Sequence, residues 1–169
     1  MTLKLSELVK DKSKIDLQDI CSDWTWLVSG QKSILLVTVF GDLFFVGQSD
    51  EINWLDTGSG KLTRVADSVK HFEELLKDKD NFSEWFMTNL YSELQQKGIK
   101  LKDNEVYGFK KIPVIGGDYS SDNFEPTDMS VHFSISGQIC KQIKDLPDGT
   151  NVNIKTAILD QKPWWKIWK

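Results

Sequence analysis

Residues 33–66 read SILLVTVFGDLFFVGQSDEINWLDTGSGKLTRVA, and this stretch decides the fold. Four short runs rich in β-branched and aromatic residues are separated by GD, QSD and TGSG. Apolar runs of this length, broken at close spacing by turn-forming residues, predict an antiparallel meander. The turn over Thr57–Lys61 is the strongest local signal, with Gly58 and Gly60 expected to supply the positive φ that a tight hairpin needs.

Outward from the meander, helical spacing appears on the C-terminal side. Asp67 and Ser68 offer an N-cap to a helix over Val69–Leu76, in which Val69, Phe72, Leu75 and Leu76 share a face. Ser83 is expected to cap a second helix carrying Phe86, Leu90 and Leu94, and Gly98 sits where a left-handed residue ends it. This helix pair is expected to pack across one face of the sheet. Beyond Gly98, EVYGFKKIPVI and then Ser130–Ile135 read as strands, the latter because Val131, Phe133 and Ile135 alternate with Ser130, His132 and Ser134. A short helix is expected to begin at Ile139. Residues 1–32 read as an N-terminal helical cap and residues 159–169 as a tryptophan-rich tail. The fold class is therefore α+β, a curved antiparallel sheet with helices mainly on one face, in a single domain of residues 1–169, a length typical of one domain.

The charge balance bounds the function. Twenty-five acidic side chains against 21 basic ones give a formal charge of −4. Arg64 is the only arginine, so a phosphate-binding surface is disfavoured and no direct nucleic-acid partner is expected. A basic protein partner fits the charge better. Cys21 and Cys140 lack the spacing of a zinc site or a disulfide framework, and are expected to be reduced core thiols. The N-terminus has no secretory signal pattern and no apolar run reaches membrane-spanning length, so a cytoplasmic location is expected. KPWWKIWK at 162–169 reads either as an interfacial anchor or as aromatic packing, and packing is preferred; no membrane partner is expected.

Candidate chemistry is sparse. His71 falls on a predicted helix and His132 on the polar side of a predicted strand, with no nucleophile motif near either. The carboxylates of PVIGGDYSSDNFEPTD, residues 113–128, miss the spacing of a calcium loop, and its glycine pair lacks the lysine and later glycine of a phosphate cradle. Gly116 and Gly117 read as a sharp strand exit after Pro113. No metal, cofactor or catalytic residue is expected. The acidic positions Asp50, Glu51, Asp56, Asp118, Asp122, Glu125 and Asp128 are candidate partner-binding residues if their loops cluster on one edge, and scattered surface charge if they do not.

Taken in order, FGDLFF, WLDTGSG, ADS, P-x-x-GG-x-Y and KDLPDGT resemble the bacterial family named after the C-terminal domain of a type VI secretion DNase immunity protein. The likeness runs from about Leu35 to Thr150. It implies a SUKH-like architecture and a non-enzymatic role, in which the chain binds and blocks a cognate toxin whose basic cleft, as in a nuclease, would suit an acidic surface. The motif positions Gly41, Asp42, Trp54, Gly60, Pro113, Gly116, Gly117 and Tyr119 are read as fold determinants. The alternatives are a small-molecule-binding or hydrolytic enzyme using the Gly116–Asp128 loop with His132, and a regulatory scaffold. Oligomeric state is not legible.

Overall fold

The computed structural model describes residues 3–155, so the tryptophan-rich tail lies outside the described residues. Strands β1 (Ser33–Val37), β2 (Leu43–Val46), β3 (Ile52–Asp56) and β4 (Lys61–Ala66) form one antiparallel sheet in sequence order, the expected meander. Strand alternation sorts its side chains: Leu43, Phe45 and Leu55 point to one core cluster, Phe44, Ile52 and Trp54 to another. Gly60 adopts a positive φ of 69° in the β3–β4 turn as expected, but Gly58 does not. Gly58 is needed for space instead, because a Cβ there would stand 2.7 Å from the Tyr119 hydroxyl.

Helices cover both faces. The Phe44 face carries α4 (Val69–Leu75) and α5 (Lys79–Phe86), the expected pair, and Phe72, Trp85 and Phe86 surround Phe44 at ring-centroid distances of 5.0, 6.0 and 5.8 Å. Apolar burial of this kind is the main source of stability in such a layer. Ser68 caps α4 through His71 N, but Asp78, not Ser83, caps α5. The expected second helix is also broken. Met87 turns left-handed (φ 46°, ψ 49°), and α6 (Thr88–Gln96) leaves at an elbow whose two sides are tied by a 2.8 Å hydrogen bond between the Ser83 and Thr88 hydroxyls. Gly98, at φ 72°, follows α6 in the conformation expected of it.

The opposite face is covered by the N-terminal helices α2 (Leu17–Cys21) and α3 (Thr25–Val28) and by α7 (Met129–Ile143); a further short helix, α1 (Leu5–Leu8), buries Leu8 on the Phe44 side. The predicted strand Ser130–Ile135 is thus wrong: it is the first half of α7. Asp128 accepts from Val131 N to start the helix, and the buried residues Met129, His132, Phe133, Ser136, Ile139 and Cys140 recur at spacings of three and four. Ser130 and Ser134, read as one polar strand face, reach across to the carboxylates of Asp19 and Asp23. Trp24 Nε1 donates to Phe133 O at 3.0 Å and fixes the crossing.

Between Gly98 and α7 the chain forms a separate hairpin, β5 (Glu105–Phe109) with β6 (Phe124–Asp128). The strand expected to run on to Ile115 stops at Phe109, and Pro113–Ile115 is a single 3-10 turn. Tyr107 N donates to Val39 O at 2.8 Å and joins the hairpin to the turn after β1. Gly117 is indispensable here, since a Cβ would lie 1.8 Å from Lys111 O; the sharp, closely approached chain exit expected at Gly116–Gly117 is present.

Candidate functional site

The β1–β2 and β3–β4 turns lie at one end of the sheet, and both are held from within. Thr38 Oγ1 accepts from Phe40 N and Asp42 N, so the first turn presents the Asp42 carboxyl toward β3. Asp42 accepts from Thr57 N at 2.9 Å, Thr57 Oγ1 at 3.0 Å and Trp54 Nε1 at 3.2 Å. Thr57 Oγ1 also lies 3.2 Å from His132 Nε2. Burial and the neighbouring Asp56 push the Asp42 carboxyl up to about 8, against the hydrogen bonds that favour its charged form. Burial pushes His132 down to about 4, so the imidazole is neutral over the physiological range. The histidine expected on a polar strand face is therefore a core residue, 5% exposed, and not a base open to substrate.

Above this network a cleft of about 420 Å³ opens to solvent. Its floor is Asp42 and Trp54, Asp56 and Tyr119 stand on one side, and the α5–α6 elbow supplies Glu84, Met87, Asn89 and Glu93 on the other. Among the described residues, four carboxyl side chains line it and no lysine, arginine or histidine does. Tyr119 is 48% exposed, with its ring edge-on to Phe109 at 5.9 Å. Burial of its lower half and the charges of Asp56 and Asp42 hold its phenol well above the ordinary tyrosine range, so it stays a neutral donor.

The acidic positions read from sequence divide. Asp56 lines the cleft and also closes its own turn, accepting from Gly58 N, Ser59 N and Ser59 Oγ. Asp118, next to Tyr119, accepts from Ser120 N and Oγ, which holds its carboxyl below the usual range. Asp50 and Glu51 occupy the β2–β3 turn at the other end of the sheet, one five-residue strand away from Asp56 or about 16 Å. Asp50 pairs with Lys32 and Asp122 with Lys97, both at 2.7 Å. Glu125 is exposed on β6, and Asp128, at its end, caps α7. These seven do not form one patch. Asp42, Trp54 and Tyr119, read only as fold determinants, prove to line the cleft. Glu84, Glu93, Met87 and Asn89 were missed, because the segment SEWFMTNLYSE shows ordinary helical spacing and its elbow is visible only in three dimensions.

Comparison with known proteins bears on the same elements. Residues 66–140 match the family described as "T6SS immunity protein Tdi1, C-terminal". The matched span runs from the end of β4 through the elbow and Tyr119 into α7, so it includes the elbow wall of the cleft and Tyr119 from the facing side, and begins after Asp42, Trp54 and Asp56. The crystal structure of Atu4351 from Agrobacterium tumefaciens is similar with a TM-score of 0.51 and 18% identity, covering 73% of this chain and 65% of that one. At that identity the likeness shows the fold alone. No curated protein matches the chain. Among the described residues no helix is long and apolar enough to cross a membrane.

Proposed function

We propose that the chain is an immunity protein that neutralises a cognate type VI secretion toxin by binding it in the cytoplasm, without catalysing a reaction. The family match over residues 66–140 carries this reading. The site is consistent with it: an acidic, aromatic cleft is built to meet a basic protein surface, and a nuclease toxin would offer one around its phosphate-binding residues. Binding there would cover the toxin's cationic site and block substrate entry. The hydrolytic alternative loses its base, because His132 is enclosed and hydrogen-bonded to Thr57.

The experiment is calorimetric titration of the purified protein with a catalytically inactive form of the toxin encoded by the adjacent gene. Tight one-to-one binding is the expected result. No binding at micromolar concentrations of both proteins would overturn the immunity reading.

A further inference from the structure

We propose that the cleft between the sheet end and the α5–α6 elbow is the receptacle for a single arginine side chain of a partner protein; this rests on the immunity reading above. Three independent observations point to that occupant.

The first is the charge of the cleft lining. Outside the cleft, Asp50, Asp67, Glu74, Asp103, Glu105, Asp122 and Asp145 each have a basic side chain within 4.0 Å, while other exposed acids such as Glu73 and Glu125 have none among the described residues. Glu84 and Glu93 have no ion-pair partner among the described residues, and no basic side chain lines the cleft they flank. A missing counter-charge is what a partner's cation would provide.

The second is the shape of that missing cation. No group of three or more His, Cys, Asp or Glu among the described residues converges as a metal ion requires. The carboxyls are instead spread over the floor and both walls of a 420 Å³ cleft. An extended organic cation reaches groups placed this way, whereas a point charge does not.

The third is the aromatic lining. Trp54 and the half-exposed Tyr119 present ring surface to the same space as the acids. A guanidinium stacks on such faces while its planar fork of donors engages carboxylates, and a buried arginine among aromatics is a recurrent anchor of protein interfaces. Phosphate-bearing partners are repelled by the same lining. A second copy of this chain is a poor source, since its sole arginine, Arg64, is engaged by Asp67 at 2.8 Å.

The test has two arms on the intact protein. In the first, N-acetyl-arginine methylamide is titrated while the Trp54 indole N–H resonance is followed by NMR, with N-acetyl-norleucine methylamide as the uncharged comparison. A saturable shift is expected with the arginine probe, at a dissociation constant on the order of millimolar for so small a ligand, and none with the norleucine probe. In the second, toxin affinity is measured for Glu84→Gln/Glu93→Gln, both exposed helix positions, and for Asp50→Asn/Glu51→Gln, which removes the same charge at the far end of the sheet. Loss of about tenfold or more in the first pair and less than about twofold in the second is expected. Equal response to both probes, or equal affinity of the two variants, overturns the arginine receptacle while leaving the immunity reading intact. Probe binding at Trp54 with no toxin binding does the reverse: it supports the receptacle and removes the toxin as its partner.

Discussion

The buried pair Asp42 and His132 makes a quantitative prediction about stability and pH. Asp42 titrates near 8 in the folded chain against 3.8 ordinarily, and His132 near 4 against 6.5. Asp42 keeps its proton in the fold after an unfolded chain has released it, so its contribution is complete below the ordinary value and is lost as pH climbs to about 8. His132 acts oppositely: its contribution is complete above 6.5 and is lost as pH falls to about 4. Each group alone gives a slope of about 1.4 kcal/mol per pH unit, of opposite sign. Between about 4 and 6.5 the slopes cancel, and from 6.5 to 8 only the Asp42 slope survives, costing about 2 kcal/mol. Urea unfolding from pH 4.5 to 8 on wild type, His132→Gln and Asp42→Asn reads this out as differences from wild type, in which the other carboxylates drop out. His132→Gln should fall relative to wild type by a few kcal/mol, on the order of 3, on going from low to high across pH 4.5–6.5, and Asp42→Asn should gain on it steadily up to about pH 8. Parallel curves for His132→Gln and wild type would refute the claim that the imidazole is held neutral by burial.

Three further outcomes are expected. Gly41→Ala should destabilise by about 3 kcal/mol or more, since its φ is 77° and a Cβ would stand 2.2 Å from His132 Nε2, whereas Gly98→Ala, at φ 72° in open space, should cost only about 1–2 kcal/mol; equal losses by chemical denaturation would remove the steric part of the argument. Asp128→Ala should cost about 1 kcal/mol through loss of the α7 cap, and an unchanged denaturation midpoint would show that the cap contributes nothing. Toxin binding near pH 7 should release up to about one proton, because an entering cation favours ionised Asp42; calorimetry in buffers of different ionisation enthalpy measures it, and zero release would mean that the occupant stops short of the floor.

How much of this was legible in the sequence follows from how local each signal is. The meander was, because two-residue periodicity and turn glycines act over a few positions. Ser130–Ile135 was not, since its apolar residues satisfy a strand face and its flanks satisfy a helix. Asp128 as a cap, Gly137 packed against Asp23, and Trp24 bonded to Phe133 decide for the helix, and all but the cap are long-range. Met87 hid for a related reason. Nothing in its side chain marks a left-handed elbow, and the surrounding packing imposes it. The cleft is still less local: its acids come from two sheet turns and two helices, so the sequence shows the carboxylates without showing that they meet.

The placement of the carboxyls also explains how the cleft tolerates so many acids. Four ionised carboxyls around 420 Å³ would repel one another strongly. Asp42 escapes by holding a proton, which its enclosed position and the nearby Asp56 favour, while Glu84 and Glu93 stand on exposed helix surface where water screens them. The protonated Asp42 floor is thus close to neutral, and a cation entering as proposed would draw it toward its anionic form. Rising pH therefore weakens the fold and, if the proposed cation binds, would strengthen the site through one and the same group. A permanently apolar residue at position 42 would relieve the first effect, but it would leave Trp54 Nε1 and Thr57 N without their acceptor and the proposed cation without a charge beneath it.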